Sequence, residues 1–322
     1  VNDNNMTDIK TLYIDDLCVD ERARGGTVAK DKVTFGNLSV TAADAQKGAL
    51  ALSNKLNSFA TNDSDPSLVD MYDYRSKMHS GAKPYKLSGM TAMMNKEAFA
   101  AMDNMLTACA GTTGCDDVTV RLAYVTAAEA KDSNVARSLR TNAEDYKTGM
   151  GCDLLIYTDE GQSQKLASNA TVMAWLEQNA ARYGFVVRYP ADKAEKTGVA
   201  EYTEYYRYVG VPHATYMKAN NLCLEEYLVL LRTYTSKDRL SIQALDGKTY
   251  EVYYCAVAGD GSISCPTNYN YTVSGTNEGG VVVTIDRSVV ANQPIYTDNA
   301  QSATEPATVP ESVSASESQT TP

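Results

Sequence analysis

The chain has 322 residues, enough for one large domain or two ordinary ones, and its 43% hydrophobic content is enough to build a packed core. Forty Asp and Glu against 29 Lys and Arg give a formal charge of -11. With no basic run to meet a phosphate backbone, a nucleic-acid partner is not expected.

No stretch approaches the roughly 18 to 20 apolar residues that span a bilayer, so no transmembrane segment is predicted. The sequence opens on Val1 rather than Met. A signal or anchor segment is therefore expected to have been removed. Twenty-two Tyr against four Phe and a Ser/Thr/Pro-rich end point to export. The seven cysteines are Cys18, Cys109, Cys115, Cys152, Cys223, Cys255 and Cys265, and no pair has zinc-knuckle or thioredoxin spacing. Cys109 with Cys115, and Cys255 with Cys265, either close short disulfide loops or stand as buried thiols.

Residues 1–45 read as an irregular N-terminal segment with short β-prone pieces around Val33. Residues 49–52 form an apolar run that predicts a buried strand. A helix follows over 95–109, with Ala98, Met102, Met105 and Leu106 on one face and a Gly-Thr-Thr-Gly stretch ending it. Strands are predicted over 118–125, 153–157, 185–188 and 205–209, with helices over 169–183 and 221–231. This mixture defines an α+β domain over 46–238. Residues 239–290 read as a β-rich extension, with strands at 240–245, 250–257, 269–274 and 281–285 separated by glycine turns. The Ser/Thr/Pro-rich residues 291–322 predict a disordered tail.

Three segments carry a resemblance. The longest runs through Trp175-Leu176, Asn179-Ala180, Tyr183-Gly184-Phe185, Arg188-Tyr189-Pro190, Lys193, Thr197-Gly198, Arg207-Tyr208-Val209-Gly210, His213-Ala214 and Leu224-Glu225-Glu226-Tyr227. The second is Thr148-Gly149 with Asp153, and the third is the 120–129 stretch. Together they resemble the VanY-type D-alanyl-D-alanine carboxypeptidases of peptidase family M15. The resemblance implies a zinc D,D-carboxypeptidase core of the hedgehog/D,D-peptidase-like kind, with a small antiparallel sheet flanked by helices. It also implies a bacterial, extracellular or cell-envelope protein of peptidoglycan metabolism.

The family's chemistry needs a zinc ion held by His, Asp and His, leaving an open position for an activated water. Carried over from Thr148-Gly149, the first His position is Tyr146 and the Asp position is Asp153, the only retained metal ligand. Counting forward from Thr197-Gly198 and back from Arg207 places Tyr202 at the general-base position and Tyr205 at the second His position. A phenol must shed a proton with a pKa of about 10 before it ligates a metal well, a cost that neutral imidazole does not carry.

Glu204, two residues from Tyr202 and sharing its face by strand alternation, is a possible substitute base. The family's carboxylate-binding Arg corresponds to Val125, after Ala123 and Tyr124, and Val cannot pair with a carboxylate. The chain's two histidines are His79 and His213. Cys152 alternates away from Asp153 with no His predicted nearby, so it is not expected to be a nucleophile.

The loss of both His, the base and the Arg from an otherwise preserved scaffold implies a module without zinc or hydrolysis. It would bind a peptidoglycan stem peptide or a wall-associated protein through a cleft that includes Tyr124, Val125, Tyr146 and Tyr205. The competing expectations are an active D,D- or L,D-carboxypeptidase with an atypical metal site, and a surface structural protein.

Overall fold

The computed structural model describes residues 32–88, 92–133, 135, 139, 144–257 and 261–290. Of the segments read from sequence, most of 1–45, all of the tail and Cys18 lie outside these residues. The helices begin and end on local chemistry. Helix α1 (Met71–Met78) starts where the Asp70 carboxylate accepts from the amides of Tyr72 and Asp73. In α2 (Lys96–Thr113) Asn95 caps the amides of Glu97 and Ala98, and Gly114 closes the other end at a φ of 71°, in left-handed backbone. Helix α3 (Ala170–Asn179) tightens into a 3-10 turn over Ala180–Tyr183 before Gly184.

A short α4 (Ala194–Thr197) precedes α5 (Val211–Ala219) and α6 (Leu224–Leu231). The helix expected over 221–231 is α6, while α5 before it was not expected. Asn221, at a φ of 48°, turns the chain between them, and Pro212 sits in the first turn of α5, where its missing N–H costs nothing.

The strands in chain order are β1 (Phe35–Ser39), β2 (Leu68–Asp70), β3 (Lys86–Leu87), β4 (Met93–Asn95), β5 (Val118–Val120), β6 (Gly151–Tyr157), β7 (Ser163–Lys165), β8 (Phe185–Tyr189), β9 (Tyr202–Tyr208), β10 (Leu240–Gln243), β11 (Thr249–Ala256), β12 (Ser262–Pro266), β13 (Tyr269–Gly275) and β14 (Gly280–Val290). The central sheet runs β3-β5-β6-β9-β8, with β7 added to β6. A second sheet runs β10-β11-β14-β13, while β1 pairs with β12 and β2 with β4. This is an α+β fold. Among the described residues no helix is long and apolar enough to cross a membrane.

Residues 49–52 depart from expectation. Leu50, Ala51 and Leu52 are buried, but no strand pairs with them. The buried Arg207 guanidinium takes the carbonyls of Ala49 and Ala51 at 2.9 and 3.1 Å, so a side chain does what a ladder was expected to do. The expected strand over 118–125 is shorter, ending at Val120.

The divisions read at 45/46 and 238/239 are crossed by one apolar core. Val40, Leu50, Val209, Met217, Leu224, Tyr227, Leu231, Val252, Tyr253 and Val283 pack in a single cluster. A second cluster joins α2 and α3 to the central sheet through Phe99, Met102, Leu106, Leu154, Leu176 and Phe185. All six described cysteines are free thiols, so neither short disulfide loop forms.

Candidate functional site

The register of the central sheet places the acidic residue. The first half of β6 pairs with β9, setting Gly151 against Arg207, Cys152 against Tyr206 and Asp153 against Tyr205. Directly opposed residues share a face, so Asp153 and Tyr205 point the same way and Cys152 points the other. On that other face Cys152 Sγ lies 3.7 Å from Met102 Sδ, and burial pushes its thiol far up. On its free side Asp153 meets the chain just beyond β5. The Arg121 N–H donates to the Asp153 carbonyl at 2.9 Å, and the Asp153 N–H donates to Leu122 at 2.7 Å.

Four side chains converge there. Arg121 Nη2 donates to Asp153 Oδ2 and, at 2.8 Å, to the Tyr202 hydroxyl. The Tyr146 hydroxyl donates to the same carboxylate, 3.0 and 3.1 Å from its two oxygens. Asp153 is 1% exposed. Burial lifts its carboxyl to about 6, with the Arg121 charge and the hydrogen bonds from Tyr202, Arg121 and Tyr146 pulling it back. Burial first, then the Asp153 charge, holds the Tyr146 and Tyr202 hydroxyls far above an ordinary phenol.

A second buried node lies alongside. Asp145 accepts from Arg207 Nη1, from Arg188 Nε at 3.4 Å and from the Tyr205 hydroxyl at 3.2 Å. Arg188 also grips Glu225 through two bonds of 2.9 and 2.7 Å. Tyr205 thus turns its hydroxyl to Asp145 rather than Asp153. Its ring meets Tyr146 edge to face at 4.8 Å and lies over Gly151, where a Cβ would come within 2.6 Å of its oxygen. Leu122, Val125, Val135, Tyr146, Tyr189, Val199 and Tyr205 form one buried apolar cluster around this point. Val125 belongs to that packing, with its amide on the Tyr146 carbonyl at 3.4 Å.

The other predicted residues stand apart. The Tyr124 hydroxyl donates to Asp63 at 2.6 Å, and its side chain lines a cavity of about 200 Å³ together with Asn62, Asp65, Ser67, Asn95 and Thr148. Glu204 lies in the part of β9 where the pairing with β8 shifts register, between Tyr202 opposite Tyr189 and Tyr206 opposite Val187. Tyr202 reaches Arg121 from the far side of that shift. Alternation from Tyr202 therefore does not carry Glu204 into the site.

His79 Nε2 lies 2.8 Å from Asp103. His213 is buried between Tyr227 at 2.8 Å and Thr284 at 3.0 Å, and burial lowers its pKa to about 3, so it is neutral. Neither histidine stands beside Asp153 in these hydrogen-bonded arrangements.

Residues 119–211, which contain Arg121, Tyr146, Asp153, Tyr202 and Tyr205, match the VanY family model, described as D-alanyl-D-alanine carboxypeptidase. That stretch is similar to the VanY family. Over 127 residues it is 39% identical to a D-alanyl-D-alanine carboxypeptidase of Enterococcus faecium, a match that takes in 39% of this chain and 41% of that protein. A 57-residue match is 53% identical to a D-alanyl-D-alanine carboxypeptidase of Enterococcus faecalis and spans 21% of it. These matches span less than half the length of either relative. The crystal structure of the vancomycin resistance D,D-dipeptidase VanXYg, in complex with a D-Ala-D-Ala phosphinate analog, superposes with a TM-score of 0.61 at 22% identity. That likeness covers 79% of this chain and 99% of VanXYg, and it shows a shared fold.

The donors of this site do not fit the zinc that the VanY likeness implies. Among the described residues no group of three His, Cys, Asp or Glu converges as a metal site. The carboxylate at the Asp position is already paired with a guanidinium. Two of the phenols at the other family positions bond within the same node, and the third bonds to Asp145; all three hold their protons.

Sequence reasoning overlooked Arg121, Asp145 and Asp63. The family motif directed attention to position 125 for a cation, while Arg121 lies one residue past β5. As the one charged residue inside the predicted strand 118–125, it was the available signal.

Proposed function

We propose that this VanY-type domain is a bacterial, cell-envelope module that binds a peptidoglycan stem peptide or a wall-associated protein without hydrolysing it. The observation that supports this reading is the state of Asp153. The one acidic residue kept at a family ligand position is spent on Arg121, Tyr146 and Tyr202, and no imidazole is placed beside it. The apolar cluster around Tyr146 and Tyr205 fills the space behind it. The cavity beside Tyr124 offers a tyrosine ring with Asn62, Ser67, Asn95 and Thr148, donors and acceptors suited to a peptide backbone. The enterococcal relatives are D-alanyl-D-alanine carboxypeptidases, which supports this ligand class.

The test is a titration of the full chain with a stem pentapeptide ending in D-Ala-D-Ala, followed by calorimetry, with free D-Ala assayed in the same samples. Saturable binding without D-Ala release, weakened by Tyr124→Ala, is the expected result. Release of D-Ala that Asp153→Ala abolishes would overturn the proposal in favour of a hydrolase with an atypical metal site.

A further inference from the structure

We infer that the Arg121 guanidinium is the resident cation of this site, supplying from within the chain the positive charge around which Asp153, Tyr146 and Tyr202 are folded. The inference deepens the non-hydrolytic reading of the cleft and rests on it.

Arg121 is not a surface side chain that has swung inward. Its own N–H is bonded to the Asp153 carbonyl and the next residue's carbonyl takes the Asp153 N–H, so backbone pairing fixes the two Cα atoms side by side. The guanidinium then closes on Asp153 and Tyr202, and its side chain is 23% exposed against 1% for Asp153. Among the described residues Arg121 is the only ion-pair partner of Asp153. A carboxylate this deeply buried is tolerated only when paired, and a guanidinium carries its charge at every working pH.

The phenols are neutral, so the node sums to zero charge. A divalent ion added to it would stand beside one carboxylate and one fixed positive charge. Two phenols suit this planar fork. A hydroxyl can accept from the guanidinium, as Tyr202 does, and donate to the carboxylate, as Tyr146 does. A protonated ring or a second cation would meet Arg121 with like charge.

Removing the side chain should therefore leave a cation-shaped hole. Thermal unfolding of the full chain is followed by circular dichroism for wild type, Arg121→Ala, Arg121→Lys, and the double variant Arg121→Ala/Asp153→Ala. Each is scanned with millimolar methylguanidinium chloride, with sodium chloride of equal strength, with one equivalent of zinc, and with EDTA.

The wild-type melting temperature should be indifferent to EDTA. Arg121→Ala should melt on the order of 5 °C lower or more, and regain part of the loss with methylguanidinium but not with sodium chloride. Arg121→Lys should fall between. The double variant should be more stable than Arg121→Ala and gain nothing from methylguanidinium, because the uncompensated carboxylate has gone. If Arg121→Ala does not fold, the double variant decides. A double variant that folds supports the inference, and one that fails likewise overturns it.

Wild-type melting lowered by EDTA, Arg121→Ala melting with wild type, or its restoration by zinc rather than methylguanidinium would each overturn the inference. D-Ala release by a chelator-insensitive wild type would instead overturn only the non-hydrolytic reading.

Discussion

Asp153 holds its proton more tightly in the folded chain than in the unfolded one. Burial raises its carboxyl from 3.8 to about 6, with Arg121 and the bonded hydroxyls opposing the rise. Because the folded value is the higher, the proton's contribution to stability is fully present below 3.8 and is lost as pH climbs through about 6. At about 1.4 kcal/mol per unit, a rise of this size is worth about 3 kcal/mol. The stability of wild type relative to Asp153→Asn is therefore expected to fall by about this amount between pH 4 and pH 7, measured by urea unfolding at both. A difference independent of pH would show that the carboxyl titrates normally. Of this site, Asp153 and Tyr146 were legible in the sequence because Thr148-Gly149 holds them seven residues apart on one chain segment. Arg121 was not, since its pairing with Asp153 spans 32 residues and exists only once β5 and β6 are aligned.

At the scale of elements, the β6–β9 pair has been rebuilt around a large ring. Tyr205 lies where a Cβ on Gly151 would meet its ring and hydroxyl at 2.6 to 2.8 Å, so the glycine is required for close approach rather than for its backbone angles. Gly151→Ala is expected to cost about 1–3 kcal/mol, as overpacking does. In a Tyr205→Val background the same change should cost much less, and a double-mutant cycle by chemical denaturation measures the difference. Equal costs in both backgrounds would mean that the ring moves aside freely. Most elements were legible here. The capped helix starting after Asn95 and strands β8, β9, β11 and β13 follow from periodicity and glycine stops. Alternation from Tyr202 does not place Glu204, because the β8–β9 register shifts between Tyr202 and Tyr206. A bulge adds a residue that no hydrophobic pattern records.

Across the whole molecule, one apolar cluster ties residues near Leu50 to α5, α6 and the second sheet, and His213 of α5 reaches Thr284 of β14 from a fully buried position. Removing residues 239–322 would uncover Leu224, Tyr227, Leu228 and Leu231 together. That truncated chain is expected to lose cooperative unfolding and near-ultraviolet dichroism, and a soluble fragment with a sharp transition would instead show an independent unit. The sequence by itself determined the VanY-type framework, the α+β class and the phenols at the former ligand positions, because helix caps, strand periods and motif spacings act over a few residues. Only the tertiary structure decided that Tyr205 turns to Asp145, that Arg207 holds residues 49–52 in place of a strand, and that a guanidinium answers Asp153. Each of these is the settlement of a buried charge or carbonyl, and its partner is whatever side chain the packed fold brings within hydrogen-bond reach.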